Sequence, residues 1–298
     1  MLPAKGRDGR SLGGFSAIAS DPRDGRLWLL SDRDEPELVP IWDLEALGRR
    51  PLRLGERLPL RNARGEPFPA PLDAEGLVLE GNDLWIVTEE RRSADRPAQL
   101  LRFDRRSGHL LQALPLPVPW RAAPGQGLAV NQGPESLTRL PGSPLTLLLA
   151  AERPLLQDPP DQLRLLEHGP GGFRPVGSLQ LLLPAPYWGL TELFAPPGGG
   201  LLALVRGFEP PASWWTQLLH LSPPGPEGSL QAPLARWDLL AAGLPPDNWE
   251  GLALGAPLPD GRPTLLLVSD DNFNPLQANR LARLAPRRQA GCSSSKSK

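Results

Sequence analysis

One unit recurs along this chain, and the recurrence limits the folds that the chain can adopt. Each unit begins with a short segment that carries a polar residue, and a tight turn and an apolar run follow. A third apolar run completes every unit, and most units show a fourth. Several strands repeated at a fixed period are typical of a β-propeller. The units begin 56 to 60 residues apart, at Ser16, Glu75, Glu135, Thr191 and Glu250.

The predicted fold is all-β, a single β-propeller of five four-stranded blades spanning residues 1–286. The last unit has no fourth apolar run, so we expect residues 10–13 to pair with its third strand. That pairing of the two chain ends would close the ring and remove exposed sheet edges. The alternatives are a sixth blade within the long connections, or a β-sandwich or solenoid whose units resemble one another by chance. The other fourth strands are predicted at residues 52–60, 110–116, 176–183 and 231–239.

The composition agrees with many short strands and restricts the function. The 39 prolines and 31 glycines break helices and lie between the apolar runs. A net charge of −1 without a basic stripe argues against nucleic-acid binding. No apolar run is long enough to span a membrane, and residues 1–10 lack the apolar core of a signal peptide. We therefore expect a soluble, non-exported monomer that acts on a small molecule.

The end of the chain differs from the rest in composition. Residues 287–298 include Cys292, the single cysteine, and the residues after it, 293–298, are small and polar. We predict a disordered tail there. With one cysteine, the chain has no internal disulfide and no cysteine metal cluster.

Propeller geometry predicts a polar mouth at one end of the channel. Strand one begins and strand two ends at the same end of a blade, because the two strands are antiparallel neighbours. The five unit starts, with Glu192 beside Thr191, are therefore expected to meet the residues that follow the second strands. These following residues are Asp32, Arg33, Glu89, Glu90, Arg91, Glu152, Arg153, Arg206, Asp270, Asp271 and Asn272.

Crowded carboxylates repel one another, so they require a cation, arginine partners or raised pKa values. Oxygen ligands of this kind suit Ca²⁺ or Mg²⁺. An anionic substrate such as a phosphate ester would then bind between the ion and an arginine, and an activated water would attack it. The predicted catalytic groups are Glu75, Glu250 and Asp270, and the predicted anion-binding groups are Arg33, Arg153 and Arg206. The predicted metal ligands are Asp32, Glu75, Glu89, Glu135, Glu250, Asp270, Asp271 and Asn272.

Structural roles are the alternative for all of these residues. Each glutamate would then pair with an arginine or cap the backbone of its own blade. Trp188 and Trp249 precede or begin inner strands, where they would either stack on a ligand or pack between blades. A Ser-His-Asp triad and a histidine-bound zinc are not expected, since no G-x-S-x-G motif occurs. The histidines fall on the third strands or just after them, away from the mouth, at His109, His168 and His220.

With these residues in view, the chain resembles the phytase-like family described by an esterase-like activity of phytase. The resemblance covers nearly all of residues 13–285, and its last pair of motifs is the most specific. The motifs are GFSAI at 14–18 with LSDR at 30–33, DAEGL at 73–77 with TEE at 88–90, GPESL at 133–137, and NWEGL at 248–252 with VSDDNF at 268–273.

The resemblance implies a β-propeller that hydrolyses esters or phosphoesters, with Ca²⁺ as the expected ion. Two features depart from the pattern: the fourth unit offers Thr191, Glu192 and Arg206 where other units are acidic, and an exported member would begin with a signal peptide. We predict a metal-assisted ester or phosphoester hydrolase; the alternatives are a lactonase-like hydrolase and a non-catalytic ligand- or protein-binding propeller. The residues that match the family are Asp32, Glu75, Glu89, Glu135, Glu250, Asp270 and Asn272.

Overall fold

The computed structural model of the chain describes residues 1–89, 97–142, 144–183, 187–211, 213–274 and 277–288. These residues form five sheets, one for each predicted unit, so the five-bladed β-propeller is confirmed. Glu90, Arg91, Cys292 and most of the predicted tail lie outside the described residues. Within the described ranges, the helical segments are two short 3₁₀ turns, Leu44–Ala46 and Val118–Trp120. None of the helices in those ranges has the length and apolar character needed to cross a membrane.

Blades one and two each run from an inner strand at the channel to an outer strand at the rim. Consecutive strands pair antiparallel, which is the up-and-down arrangement expected of a propeller blade. Blade one consists of β1 (Phe15–Ser20), β2 (Leu27–Ser31), β3 (Glu37–Trp42), β4 (Arg53–Leu54) and β5 (Leu58–Pro59). Blade two consists of β6 (Ala74–Glu80), β7 (Asp83–Thr88), β8 (Gln99–Asp104) and β9 (Leu110–Pro115).

The remaining three blades follow the same plan. Blade three consists of β10 (Pro134–Arg139), β11 (Leu147–Ala151), β12 (Gln162–Gly169) and β13 (Gly172–Gln180). Blade four consists of β14 (Trp188–Phe194), β15 (Leu201–Glu209), β16 (Ser213–Leu221) and β18 (Ala235–Asp238). The short strand β17 (Leu230–Gln231) precedes β18 in the chain but belongs to the sheet of blade three. Blade five consists of β19 (Asn248–Gly255), β20 (Thr264–Asp270) and β21 (Leu281–Leu284).

Two predicted outer strands are interrupted. The run at residues 231–239 is divided, because Pro233 has no N–H to donate to a ladder. Its first part, β17, pairs in parallel with β13 of blade three, and only β18 forms the outer strand of blade four. The run at residues 52–60 is likewise divided into β4 and β5, which both pair with β3.

The N-terminal segment contacts blade five but does not form the predicted strand at residues 10–13. Lys5 and Ser11 pair with each other, so this stretch folds back on itself and uses its own backbone hydrogen bonds. Two hydrogen bonds join it to the last blade: the Leu2 N–H donates to the Asn279 carbonyl (2.9 Å), and Asn279 Nδ2 donates to the Leu12 carbonyl (3.3 Å). Leu2 and Leu12 also enter the same apolar cluster as Leu281. The chain ends therefore meet in one blade, through packing rather than through a fourth strand.

The core consists of five apolar clusters, one at each interface between neighbouring blades. Successive side chains of a strand point to opposite faces, so a strand that is buried on both faces can supply two clusters. In β11, Leu147 and Leu149 pack toward blade two, whereas Leu148 and Ala150 pack toward blade four. Burial on both faces explains why these strands appear in the sequence as continuous leucine runs rather than as alternating patterns.

Candidate functional site

The inner strand of every blade carries a β-bulge at the same point. A bulge leaves one residue out of the ladder and changes the direction of its side chain. Because the predicted unit starts coincide with these bulges, the alignment of the five units matches the structure. In blade four the bulged residue is Thr191, so Glu192 is not the counterpart of the glutamates. The bulged residues are Ser16, Glu75, Glu135, Thr191 and Glu250.

A second ring of side chains comes from the ends of the second strands. In each blade, the residue just before the bulge pairs with a residue of the second strand. The side chain of this second ring belongs to the residue that follows that partner in the second strand. Four of these five positions carry a carboxylate and blade four carries an arginine, so one cation stands within an acidic ring. The five residues are Asp32, Glu89, Glu152, Arg206 and Asp270.

Three carboxylates from blades one and two converge at this mouth. Asp32, Asp73 and Glu75 each offer one oxygen, and the three oxygens lie within 4.8 Å of one another. Asp73 is buried, and the other two residues are partly buried. Hard divalent cations prefer oxygen ligands in this arrangement. The predicted ligands Asp32 and Glu75 therefore lie together, with Asp73 as a third candidate ligand.

Asp73 was missing from the residues that the sequence analysis singled out as ligands. It lies two residues before the bulge and adopts a left-handed backbone, with φ of 54°. Gly14 occupies the same place in blade one, with φ of 64°. Aspartate is among the few non-glycine residues that adopt this conformation readily. In the alignment of the units, Gly14 stands opposite Asp73. This match was a signal in the sequence that Asp73 occupies a left-handed backbone position near the mouth.

Arg206 neutralises the opposite side of the ring. Its Nη2 donates to Glu250 Oε1 (3.0 Å), and Asn248 Nδ2 donates to the same oxygen (2.7 Å). Burial disfavours the arginine charge, but Glu250, Glu135 and Glu152 outweigh it and raise the pKa of Arg206. The guanidinium therefore remains charged and orients Glu250.

Three acids at the mouth, Glu75, Glu250 and Asp270, bind protons more tightly than free carboxyl groups do. Burial, followed by the charges of Glu135 and Asp32, raises the pKa of Glu75 well above its ordinary value. Burial and the charge of Asp270 likewise raise the pKa of Glu250. Burial also raises the pKa of Asp270 to about 6, although it accepts backbone N–H groups from Asn272 and Phe15. Asp270 consequently changes charge close to neutral pH.

The two hydroxyl-bearing bulge residues link neighbouring blades. Ser16 Oγ donates to the Ala74 carbonyl (2.6 Å), and Thr191 Oγ1 donates to the Trp249 carbonyl (3.2 Å). Each carbonyl belongs to the residue immediately before the bulge of the next blade. These hydroxyl groups stabilise the ring at the two blades whose bulge carries no carboxylate.

Several other predicted site residues make contacts with the protein itself. Glu89 accepts the Gly133 N–H, and Arg153 donates to the Trp188 carbonyl. Asp271 accepts the backbone N–H groups of Gly14 (3.0 Å) and Phe273 (3.2 Å) and the side chain of Asn279 (2.7 Å). Asp271 therefore joins blade five to the start of blade one. Whether these residues also bind a metal stays a prediction.

An open cavity of about 630 Å³ adjoins Asp32 at the edge of the mouth. Arg33 lies beside it with its guanidinium 5.3 Å from the Phe273 ring centre and with Nη1 3.5 Å from a Glu37 carboxylate oxygen. Arg33 Nε is buried and has no hydrogen-bond partner among the described residues. Arg10 and the exposed Asn272 complete two sides of the cavity. Among the predicted arginines, Arg33 is the one that lines this opening.

Trp188, Trp249 and His168 have packing roles. Trp249 is fully buried, and its Nε1–H donates to the Pro245 carbonyl (2.8 Å). Trp188 is 5% exposed and stacks on Trp215 with ring centres 5.7 Å apart. Of the two interpretations of these residues, packing between blades describes the contacts that they make. His168 lies between Trp85 and Phe173 on a third strand, away from the mouth as predicted.

Several solved structures align with this chain at low sequence identity. An endo-arabinase from Bacteroides thetaiotaomicron aligns over 98% of each chain, with 12% identity and a TM-score of 0.49. A hydrazine synthase from Kuenenia stuttgartiensis aligns over 93% of this chain and 64% of its own, with 11% identity and a TM-score of 0.41. An engineered GH43 glycoside hydrolase aligns over 78% of this chain and 42% of its own, with 13% identity and a TM-score of 0.45. The chain thus spans less than two thirds of the last two proteins.

The fold and the ring of polar side chains define a β-propeller with an acidic channel mouth. No curated protein matches the sequence. The sequence does match the family described as phytase-like, esterase-like activity of phytase, over residues 10–273. The chain belongs to this phytase-like family, as the sequence motifs indicated.

Proposed function

We propose that this protein is a metal-dependent hydrolase of ester or phosphoester bonds. The observation that carries the proposal is the convergence of Asp32, Asp73 and Glu75 at the mouth. Their oxygens match the ligand preference of Ca²⁺, with Mg²⁺ as the alternative ion. The raised pKa of Glu75, caused by burial and neighbouring carboxylates, supports a cation here because a cation would offset the repulsion.

A bound ion of this kind would polarise a carbonyl or phosphoryl oxygen and lower the pKa of a water molecule. Asp270 is the residue best suited to accept the proton of that water, because its pKa of about 6 keeps it largely ionised yet basic at neutral pH. Glu250 is held by Arg206 and Asn248, so its role is to orient groups beside Asp270.

The anionic part of the substrate would lie in the cavity beside Asp32. Arg33 and Arg10 flank that cavity, and their guanidinium groups would donate to a substrate oxygen. The exposed Phe273 ring would cover one side of a substrate bound there. We therefore expect a small anionic ester, with a phosphate monoester as the first candidate.

Titration calorimetry of chelator-treated protein with Ca²⁺ and with Mg²⁺ tests the metal site. We expect one of these ions to bind to wild type, and Glu75→Gln and Asp32→Asn to weaken that binding by at least about tenfold, because each removes one charged ligand. Glu167→Gln is the matched control, since Glu167 pairs with Arg174 at the outside of blade three.

Hydrolysis of p-nitrophenyl phosphate and p-nitrophenyl acetate, with and without the bound ion, tests the activity. We expect turnover that requires the ion, and Arg33→Met to raise KM for the phosphate ester more than for the acetate ester. Metal binding without hydrolysis of either ester would favour a non-catalytic binding propeller. If neither ion binds, the metal-dependent proposal is wrong.

A further inference from the structure

A large cavity lies at the opposite end of the channel from the acidic mouth. Its volume is about 960 Å³, which falls within the range of sites for drug-sized molecules. All five inner strands line it with the residues that follow their bulges. The walls are mainly apolar and include Ile18, Leu77, Leu193 and Leu252. The five inner strands therefore carry the acidic mouth near one end and this cavity near the other end.

Glu192 is an unusual residue at this cavity. The positions that directly follow the bulge in the other four blades carry small side chains, namely Ala17, Gly76, Ser136 and Gly251. Small residues fit there because neighbouring inner strands approach closely: a Cβ at Gly76 would lie 2.9 Å from the Leu137 nitrogen. Blade four instead places a glutamate at this position and buries it to 2% exposure.

The contacts of Glu192 leave part of its carboxylate without a partner. The N–H groups of Leu137 (3.3 Å) and Leu193 (2.9 Å) both donate to Oε1. Within the part of the chain that the structure describes, Oε2 has no hydrogen-bond partner. Burial raises the pKa of Glu192 well above its ordinary value, so a cation beside the carboxyl group would favour its ionised form. An amide would accept the same two N–H groups but could not become a counter-ion. A structural role alone therefore does not explain an acid here.

The charges around the cavity leave Glu192 as the place for a cation. Five other acids of the lining each pair with an arginine: Asp21 with Arg105, Asp24 with Arg26, Asp43 with Arg53, Glu45 with Arg50, and Glu80 with Arg139. Among the described residues, Glu192 is the acid of the lining that has no arginine partner. A metal ion is less suited than an organic cation, because among the described residues no three carboxylates converge at this end as they do at the mouth. The apolar walls would bury the body of an organic cation.

We propose that this cavity is a second ligand site, which binds a small organic ammonium ion with an apolar body and uses Glu192 as its counter-ion. The ammonium would donate to Glu192 Oε2, and the alkyl or aryl part would contact the leucine walls. The site does not depend on the proposed hydrolase activity, because its residues are distinct from those of the mouth.

The test compares three probes of equal chain length, the hexylammonium ion, 1-hexanol and hexanoate, by titration calorimetry in a chelating buffer. We expect hexylammonium to bind to wild type at least about tenfold more tightly than hexanol, and hexanoate to bind least. Glu192→Gln should reduce hexylammonium affinity to that of hexanol and leave hexanol affinity unchanged, because the amide keeps both backbone hydrogen bonds.

Two further variants separate this site from the mouth and from nonspecific binding. Leu254→Trp fills the open side of the cavity and should weaken hexylammonium and hexanol together, since Leu254 is partly exposed there. Glu75→Gln, at the mouth, should leave hexylammonium binding unchanged. Equal affinity for hexylammonium and hexanol in wild type, or an ammonium preference that survives in Glu192→Gln, would overturn the proposal. Failure of all three probes to bind would overturn it as well.

Discussion

Replacing Arg206 with methionine is expected to destabilise the metal-free protein by about 3 to 5 kcal/mol at pH 8, because the change leaves buried carboxylates without their cation. Arg206 contacts Glu250 directly and also stabilises the charges of Glu135 and Glu152. Methionine keeps much of the volume of the side chain, so the loss would report charge rather than packing. Urea unfolding of chelator-treated wild type and variant measures the difference.

The loss should become smaller as pH falls. Without Arg206, the neighbouring carboxyl groups would be neutralised by protons instead, and protonation is easier at pH 5 than at pH 8. Arg174→Met is the matched control: its ion pair with Glu167 lies at the surface, where such pairs contribute at most about 1 kcal/mol. Equal stability of wild type and Arg206→Met at pH 8 would show that the acidic ring does not need this charge.

The repeat in the sequence carries most of the information about the fold, and the reason is geometric. Every blade places a bulge at the same point of its inner strand, so residues such as Glu75 and Glu250 could be aligned without knowledge of their contacts. The alignment left Thr191 and Glu192 undecided, since only the register with β15 shows which of them is bulged. That choice places Glu192 in the channel rather than at the mouth.

Contacts between blades could not be predicted from the sequence. Asp73 joins Asp32 because two blades meet, and the spacing of the units does not specify how closely their loops approach. Arg206 was predicted to bind substrate, but the structure places it against Glu250. The cavity around Glu192 is lined by residues of all five inner strands, so no single unit reveals it. Local patterns therefore located the acidic ring. Which of its charged side chains contact one another depends on how the blades assemble.

The stability of the metal-free protein is expected to fall as pH rises from 5 to 8. Folding raises the pKa of Asp270 from 3.8 to about 6, so its contribution to stability is complete below pH 3.8 and is lost as pH rises through 6. From pH 5 to pH 8 this group alone accounts for a loss of about 1.5 kcal/mol, as a shift of one unit corresponds to about 1.4 kcal/mol. Glu75, Glu135 and Glu250 act in the same direction, because burial and neighbouring charges raise their pKa values too.

Urea unfolding of chelator-treated protein at several pH values between 5 and 8 measures this slope. Asp8 does not mask this effect between pH 5 and pH 8. The hydrogen bond from Arg10 lowers the pKa of Asp8 to about 2, so Asp8 titrates below this pH range. Asp270→Asn should remove the part of the loss that comes from Asp270. Saturating Ca²⁺ should flatten the slope of wild type, because a bound cation favours the ionised carboxylates. Stability that rises from pH 5 to pH 8 in the chelated protein would contradict the raised pKa values, and a slope that Ca²⁺ leaves unchanged would place the ion elsewhere.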